Sequence, residues 1–447
     1  MMRHQLSGDG IHDDTAAIQE LLDSRNSCVF LPPPKVCYLI SRTLKIHSFQ
    51  ELKLDRWTTV KLAARSNCPM ITNDDHQGGN RAIALTGGIW DGNNREQSPN
   101  PQMMVDAPEL PPPIENREKK GNCPSGADVN RLAIPADYPA DPVAGKPLSW
   151  KQANQLPYHP DRYYGVLSRF VNVDGFSMQA MTFRNPVSYA TQFGSLRNFT
   201  ITHIVFDFNE GNPSPNNMDG LHFDGFCRNG YIADLKGACY DDLLAFNAED
   251  GTCDSPGFGP IENIVVDGIF ADRCHSAARL LSCGSEIRNI TIRNVYGSFY
   301  RYAVGMTHFF PERPARGRFD GIVLENLHIS KALPLPSDWN RCPDWGLIWG
   351  EGSGRVGTLK VTGLHRVEET TGTPCFEFEA PFEIDSLTIE DCSVENRLEQ
   401  ELELLHNDGT IHELRLGGRR TVSAPGAGTV REITGSGRIL RQSATGQ

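Results

Sequence analysis

The sequence predicts a right-handed parallel β-helix, an all-β solenoid in which short strands stack coil upon coil. Segments of alternating apolar and polar residues recur along the chain, and many follow a turn that contains asparagine. Copies begin at residues 198, 229, 261, 287, 319, 356, 384 and 411, so successive starts lie 26 to 37 residues apart. A unit of this size cannot bury its apolar side alone, whereas stacked coils can.

The alternation excludes other repeat architectures. Its period is two residues, whereas helical repeats have a period of about 3.6 residues. A β-propeller blade needs about 40–45 residues and hairpin turns, and such turns are missing from this sequence. We therefore expect residues 1–447 to form a single β-helix domain, in which each coil rises by one strand spacing of about 4.8 Å.

Two segments depart from the repeat. Near the N-terminus, Ile18, Leu21 and Leu22 form an i, i+3, i+4 stripe after residues that can cap a helix, which predicts a short helix over 14–24. This helix would cover the open edge of the first coil.

Residues 95–165 are rich in proline and lack strand periodicity. We interpret this long loop as a lid or pocket wall, with a subunit contact or a flexible excursion as the alternatives.

The composition limits the partners of the chain. Asp and Glu number 55 against 43 Lys and Arg, which gives a net charge of −12. Such a surface repels nucleic acid and anionic lipid, so neither is expected as a partner, and a polyanionic substrate would need a local basic patch.

No apolar run reaches the length of a membrane span, and residues 1–12 lack the apolar core of a signal peptide. The expected location is cytoplasmic, or secreted if a leader was removed, and a homo-oligomer is possible.

Two segments contain clustered carboxylates. One reads Asn-Met-Asp-Gly-Leu-His-Phe-Asp over 217–224, and the other Tyr-Asp-Asp-Leu-Leu-Ala-Phe over 240–246. Asp219 and Asp242 lie 23 residues apart, close to one coil, and each stands two residues before a residue that should face inward. We expect both in the turn before a strand, stacked near each other with Asp241 beside them. Clustered carboxylates repel, so at least one pKa should rise and suit a general acid; the alternative is that each Asp only satisfies turn N–H groups.

These motifs resemble those of the polygalacturonases, glycoside hydrolase family 28. That family has Asn-Thr-Asp-Gly-Ile on one coil and Gly-Asp-Asp-Cys-Ile-Ala-Ile on the next. The segment Gly-Gly-Ile-Trp-Asp-Gly at 87–92 is similar to its early Gly-Gly-x-x-Asp-Gly, and the opening Gly-Asp-Gly at 8–10 is shared with many β-helix carbohydrate enzymes. The resemblance extends over about residues 6–395.

The resemblance implies a pectin-lyase-like β-helix that hydrolyses a glycosidic bond with inversion. Asp241 would be the general acid, and Asp219 and Asp242 would activate water, with no metal or other cofactor. Inversion requires carboxylates about 6.5–9.5 Å apart, which leaves room for the water.

Two motifs of that family are missing from this chain. Arg279 stands near the position of the family's Gly-His-Gly histidine, and the Arg-Ile-Lys that grips the galacturonate carboxylate is absent near 302–308. Its absence argues against ordinary polygalacturonan as the substrate. The residues that we expect to bind the substrate on the same face are Asn217, His222, Asp224, Arg279, His308, Trp345 and Trp349.

Each of these side chains also has a structural interpretation. A lone histidine is more often structural, Arg279 could simply pair with an aspartate, and the tryptophans could anchor a loop instead of stacking on a sugar ring. Glu249 and Asp250 are expected to be solvated.

The sequence therefore favours a glycoside hydrolase that acts on a polysaccharide or its oligosaccharides. If the 95–165 loop closes one end of the cleft, cleavage should start from a chain end. A polysaccharide lyase or uronate epimerase on the same fold, and a non-catalytic carbohydrate-binding β-helix, stay open as alternatives.

Overall fold

The computed structural model describes residues 5–106, 131–308, 310, 313–335 and 345–444. Within these residues the chain winds into a solenoid with two long parallel sheets, which we call sheet A and sheet B, and a two-stranded pair formed by Met104–Val105 and Leu132–Ala133. The predicted parallel β-helix is therefore confirmed.

Sheet A has 19 strands in the described part of the chain and contains the repeat found in the sequence. Its strands are Cys28–Leu31, Tyr38–Ile40, Gln50–Leu54, Thr59–Leu62, Asn80–Thr86, Ile89–Asp91, Val173–Gln179, Thr182–Arg184, Arg197–Asp207, Arg228–Ala238, Ile261–Cys274, Glu286–Phe299, Gly317–Lys331, Gly354–Glu368, Glu383–Glu390, Cys392–Asn396, Thr410–Leu416, Arg419–Ser423 and Arg438–Ala444.

Sheet B has 12 strands in the same residues and supports the candidate site. Its strands are Leu44–Ile46, Ile71–Asn73, Ser168–Val171, Thr191–Gly194, Leu221–Phe223, Asp242–Asn247, Ser276–Leu281, Val304–Thr307, Ile348–Gly350, Phe376–Phe378, Leu402–Asn407 and Val430–Thr434.

An asparagine ladder explains the turn residue of the repeat. Asn198, Asn229, Asn263 and Asn289 all have a positive φ between 54° and 59°, which asparagine tolerates better than most residues. The side-chain amides of the last three each donate to the side-chain oxygen of the asparagine one coil before, at 2.9 to 3.2 Å, and that of Asn198 donates to Asp174 at 2.7 Å. The ladder keeps successive coils in register.

The core runs along the inside of the solenoid as stacked apolar side chains. Phe170, Phe193, Phe223 and Phe246 occupy neighbouring coils, and the Phe193 and Phe223 ring centroids lie 4.7 Å apart. All four side chains are buried. Because the inward positions are fixed by this stack, the positions between them must face outward, and these form the floor of the site.

The N-terminal helix spans Thr15–Asp23, close to the predicted 14–24. Ile18 and Leu22 are buried, and the helix packs against the first strand of each sheet. It therefore covers the first coil as expected. Among the residues that the structure describes, no helix combines the length and apolar character needed to cross a membrane.

The 95–165 segment forms no coil of its own where it is described. It contains two 3₁₀ turns, Asn94–Glu96 and Pro101–Met103, and a short helix, Trp150–Ala153. Residues 107–130 of this predicted lid lie outside the described residues.

Candidate functional site

Asp219 and Asp242 occupy equivalent positions on successive coils of sheet B. Leu221 pairs with Leu244, so the residues two positions earlier are also neighbours. Asp219 lies in the turn before its strand, and Asp242 is the first residue of its own strand. A Cβ atom on Gly220 would lie 2.3 Å from the Leu243 carbonyl oxygen, so the Asp-Gly pair is needed where the two coils meet closely.

The Asp242 carboxylate is completely buried and surrounded by partners from the next two coils. Its Oδ1 accepts hydrogen bonds from the Ser276 hydroxyl and, at 3.2 Å, from the Tyr302 hydroxyl. Its Oδ2 lies 2.8 Å from Nε of Arg279. A buried carboxylate needs such compensation, and these contacts with Arg279 and the two hydroxyls fix the orientation of Asp242.

Asp241 has nearby negative charges that disfavour its ionised form. Burial, and then the negative charges of Asp242 and Asp219, raise the pKa of Asp241 well above its ordinary value. One Asp241 oxygen lies within 4.8 Å of an Asp242 oxygen. The two adjacent carboxyls therefore differ in environment: Asp242 lies 2.8 Å from a guanidinium, and Asp241 is pushed towards its protonated form. A carboxyl with a raised pKa is typical of a general acid.

The same cluster includes a histidine. Asp241, Asp242 and His275 each place one possible ligand atom within 4.8 Å of the others. Burial, and then the positive charge of Arg301, lower the pKa of His275 well below its ordinary value. Arg279 already supplies positive charge to Asp242, and a second cation at this point would be repelled, so we assign none to the cluster.

Asp219 belongs to a second buried network centred on His222. Nδ1 of His222 lies 2.8 Å from Oδ2 of Asp219, while its Nε2 lies 3.4 Å from Asp250 and 3.7 Å from Asp224. The ring also stacks on Tyr189, with centroids 4.1 Å apart and planes 8° apart.

The charges of this network favour an imidazolium. Burial lowers the pKa of His222, but the hydrogen bonds to Asp219 and Asp224 outweigh it, so the pKa lies well above its ordinary value. Burial raises the pKa of Asp219 to about 6, against the lowering effect of His222. His222 is thus a buried counter-ion of Asp219.

A cavity of about 590 Å³ opens above this floor. Asp241 lines it, whereas Asp219 and Asp242 are not among its lining residues. Four arginines contribute to its wall: Arg131, Arg279, Arg301 and Arg313. The described parts of the 95–165 segment contribute Gln102, Arg131, Trp150 and Asn154.

The predicted substrate-binding residues lie in four different places. Asn217 and Arg279 line the cavity. His222 and Asp224 are buried behind it, where Asp224 accepts a hydrogen bond from Gln192 at 2.8 Å. Trp345 and Trp349 line a different cavity further along sheet B, and His308 contacts the Ala315 carbonyl oxygen at 2.7 Å as part of a loop.

Several residues at the cavity were not singled out in the sequence. Asp250, expected to be solvated, lines the cavity, and Glu249 accepts backbone hydrogen bonds from Cys283 and Ser285. Asp254 also lines the cavity, and burial, followed by the charge of Asp250, raises its pKa well above the ordinary value. Arg301 and Tyr302 are contributed two coils after Asp242. Only the Asn-Ala-Glu-Asp run directly after the 242–247 strand could have indicated Asp250 from the sequence.

Comparisons with known proteins support the fold. No protein-family model and no curated protein sequence matches the chain. Among solved structures, it is similar to a family 28 exopolygalacturonase of Yersinia enterocolitica, with a TM-score of 0.56 and 13% identity over 98% of this chain and 76% of that one.

Two further structures are similar to a lesser degree. A surface adhesin of Streptococcus pneumoniae has a TM-score of 0.49 and 11% identity over 99% of this chain and 92% of that one. An endo-xylogalacturonan hydrolase from Aspergillus tubingensis has a TM-score of 0.48 and 12% identity over 99% of both chains. At these identities the likeness shows the fold alone, because one fold can carry many unrelated functions.

Proposed function

We propose that this chain is a glycoside hydrolase, with Asp241 as the general acid and Asp219 and Asp242 as the groups that orient and activate water. The observation that carries the proposal is the contrast between two adjacent carboxyls. Asp241 lines the cavity with a raised pKa, while Asp242 is held by Arg279 at 2.8 Å.

The role of Asp241 follows from its accessibility and its protonation. A general acid must reach the leaving oxygen and must carry a proton at the working pH. Asp241 meets both requirements, since it lines the cavity and burial keeps it protonated. Asp242 does not meet the first requirement, because it is fully buried and does not line the cavity.

Asp219 suits the complementary role. With a pKa of about 6, it is ionised at neutral pH and can accept a proton from water. His222 fixes its direction through the 2.8 Å contact. Asp219 does not line the cavity itself, so the proposal requires water to reach it from the part of the cavity that Asn217 and Asp241 line.

The cavity wall favours an anionic sugar. Four arginines line it, against three aspartates of which Asp241 and Asp254 have raised pKa values. Arg301 and Arg313 are contributed by positions other than the missing Arg-Ile-Lys, so a carboxylated sugar can be held by a different arrangement. The walls contributed by 95–165 support cleavage of short chains from one end.

The test is a screen of defined uronate-containing and uncharged oligosaccharides, with NMR detection of the anomeric proton of the first product. We expect hydrolysis that Asp219→Asn, Asp241→Asn and Asp242→Asn each reduce by at least about a hundredfold. Asp272→Asn, an exposed change on sheet A, is the matched control. Unchanged hydrolysis in all three variants would overturn the roles assigned to these residues, whereas no hydrolysis of any oligosaccharide by the unmodified protein would favour a non-catalytic β-helix.

A second candidate is a uronate lyase or epimerase. The arginine-lined wall favours it too, because those reactions require the substrate carboxylate to be neutralised before the adjacent proton is removed. A lyase product would absorb in the ultraviolet through its new carbon–carbon double bond, and an epimerase would leave chain length unchanged. Either result from the unmodified protein would show that the reaction is not hydrolysis.

A further inference from the structure

A second cavity of about 820 Å³ lies further along the same outer face of sheet B. We call it the tryptophan groove and define it by Trp345, Trp349, Glu351, Glu377, Glu379 and Asp408. The strand that contains Trp349 is three coils beyond the strand that contains Asp242. At about 4.8 Å per coil, the groove begins roughly 14 Å from the catalytic carboxyls.

An aromatic wall joins the groove to the arginine-lined cavity. Tyr302, which lines the first cavity, stacks on Trp349 with ring centroids 5.3 Å apart. Trp349 contacts Trp345 at 5.4 Å, and the guanidinium of Arg301 lies 4.5 Å from the Trp345 ring centroid. One ligand chain could therefore extend over Tyr302 and Trp345 from one cavity into the other.

The two cavities have opposite charge. The groove contains four carboxylates, and no lysine or arginine is among its lining residues in the described part of the chain. Trp349 donates its indole N–H to Glu379 at 3.2 Å, and Glu377 accepts the Gly346 N–H at 2.7 Å. These bonds hold the acidic side chains in place beside the indoles.

Glu351 is the carboxyl of the groove whose protonation can change near neutral pH. Burial raises its pKa to about 7, although the charge of Arg301 opposes the shift. Near neutral pH, a carboxyl of this kind can both donate to and accept from a hydroxyl group. An uncharged sugar offers such hydroxyls, and its C–H face packs on an indole.

We propose that the tryptophan groove is a distal subsite that binds an uncharged pyranose and discriminates against a uronate. This inference rests on the proposed glycosidase function and narrows its substrate class. The substrate would be an oligosaccharide with an anionic sugar near the scissile bond and uncharged sugars several residues away. The discrimination is electrostatic, because a sugar carboxylate in the groove would face four protein carboxylates.

Binding measurements test the subsite without any turnover. Calorimetric titration of the Asp241→Asn protein would use uncharged xylo- and gluco-oligosaccharides, and oligogalacturonates of the same length. We expect Trp345→Ala to weaken binding of an uncharged oligosaccharide at least tenfold. Trp57→Ala, which removes a 72% exposed tryptophan near the N-terminus, should leave it unchanged.

A charge variant tests the discrimination separately. The double change Glu351→Gln and Glu379→Gln keeps hydrogen-bonding atoms and removes negative charge from the groove, of which Glu351 carries only a part near its pKa of about 7, so we expect tighter binding of the oligogalacturonate by at least threefold. The inference is overturned if Trp345→Ala has no effect, or if the charge variant leaves the preference between the two ligands unchanged. Failure of hydrolysis by the unmodified protein would instead overturn the proposed function and leave these binding results standing.

Discussion

Replacing the proposed general acid should stabilise the protein while it removes activity. The Asp241 carboxyl is 5% exposed, and burial and its neighbours raise its pKa far above the ordinary 3.8. Between 3.8 and its folded pKa, the carboxyl is protonated in the folded state and ionised in the unfolded chain. Because the unfolded chain releases this proton more readily than the folded protein, the free energy of unfolding falls as pH rises through this interval.

The size of this cost follows from the pH interval. Each pH unit between the unfolded and folded pKa values is worth about 1.4 kcal/mol. From 3.8 to neutral pH, the cost reaches at most about 4 kcal/mol. Asp241→Asn has nearly the same shape as the protonated carboxyl and has no ionised form, so it should recover up to this amount near pH 7 and almost nothing near pH 4.

Urea unfolding of both proteins at several pH values measures the effect. The stability difference between Asp241→Asn and the unmodified protein should grow with pH, even though the variant has lost its activity. Asp272→Asn, on the exposed face of sheet A, provides a comparison without burial. A difference that is independent of pH, or a variant that becomes relatively less stable as pH rises, would refute a protonated Asp241.

Three further predictions concern the surroundings of the same carboxyls. Removing the imidazolium with His222→Gln should raise the pKa of Asp219 above about 6, so the acid limb of the kcat/KM profile should move up by about 1–3 pH units; an unmoved limb would contradict the counter-ion role. Changing Arg279→Gln leaves a buried carboxylate without its cation and should cost about 3–5 kcal/mol in urea unfolding, whereas a loss below about 1 kcal/mol would mean that the 2.8 Å pair contributes little. Gly220→Ala should destabilise the fold by about 1–3 kcal/mol through its clash with a backbone oxygen, while Gly257→Ala, where the nearest atom is 3.5 Å away, should not.

The stacking of Asp219 and Asp242 could be predicted because it depends only on coil length and parity. A separation of 23 residues placed them one coil apart, and the identical in-out pattern after each one fixed their register. Arg279 was expected on the same face because it stands near the family's Gly-His-Gly position, and its strand does follow on the next coil. Within a solenoid, contacts between neighbouring coils can be read from sequence positions.

The rest of the site depends on segments without such periodicity. Arg131 and Trp150 reach the cavity from the 95–165 segment, whose path no repeat determines. His222 and Asp224 show another limit of sequence reasoning. The in-out alternation along the strand correctly places their side chains on the outer face of the sheet. It cannot show that other segments of the chain bury that face. Both side chains are almost fully buried, so they act on Asp219 from behind and do not line the cavity.

The stereochemistry of the proposed hydrolysis depends on which carboxyl can reach the sugar. Oxygens of Asp241 and Asp242 lie within 4.8 Å of each other, less than the about 6.5–9.5 Å that separates the two carboxyls of an inverting pair. Taken alone, this spacing would suggest retention with Asp242 as a nucleophile. A nucleophile, however, needs an oxygen that faces the anomeric carbon.

Asp242 does not line the cavity, and its neighbours surround it on the protein side. Ser276 and Tyr302 donate to Oδ1, Arg279 lies 2.8 Å from Oδ2, and the side chain is fully buried. The proposed mechanism assigns attack to water activated by Asp219, so it predicts that the first product has the inverted anomeric configuration in a rapid NMR time course. A retained anomer, or a sugar covalently attached to Asp242 in the mass spectrum of the trapped enzyme, would show that the floor opens during catalysis and that Asp242 is the attacking group.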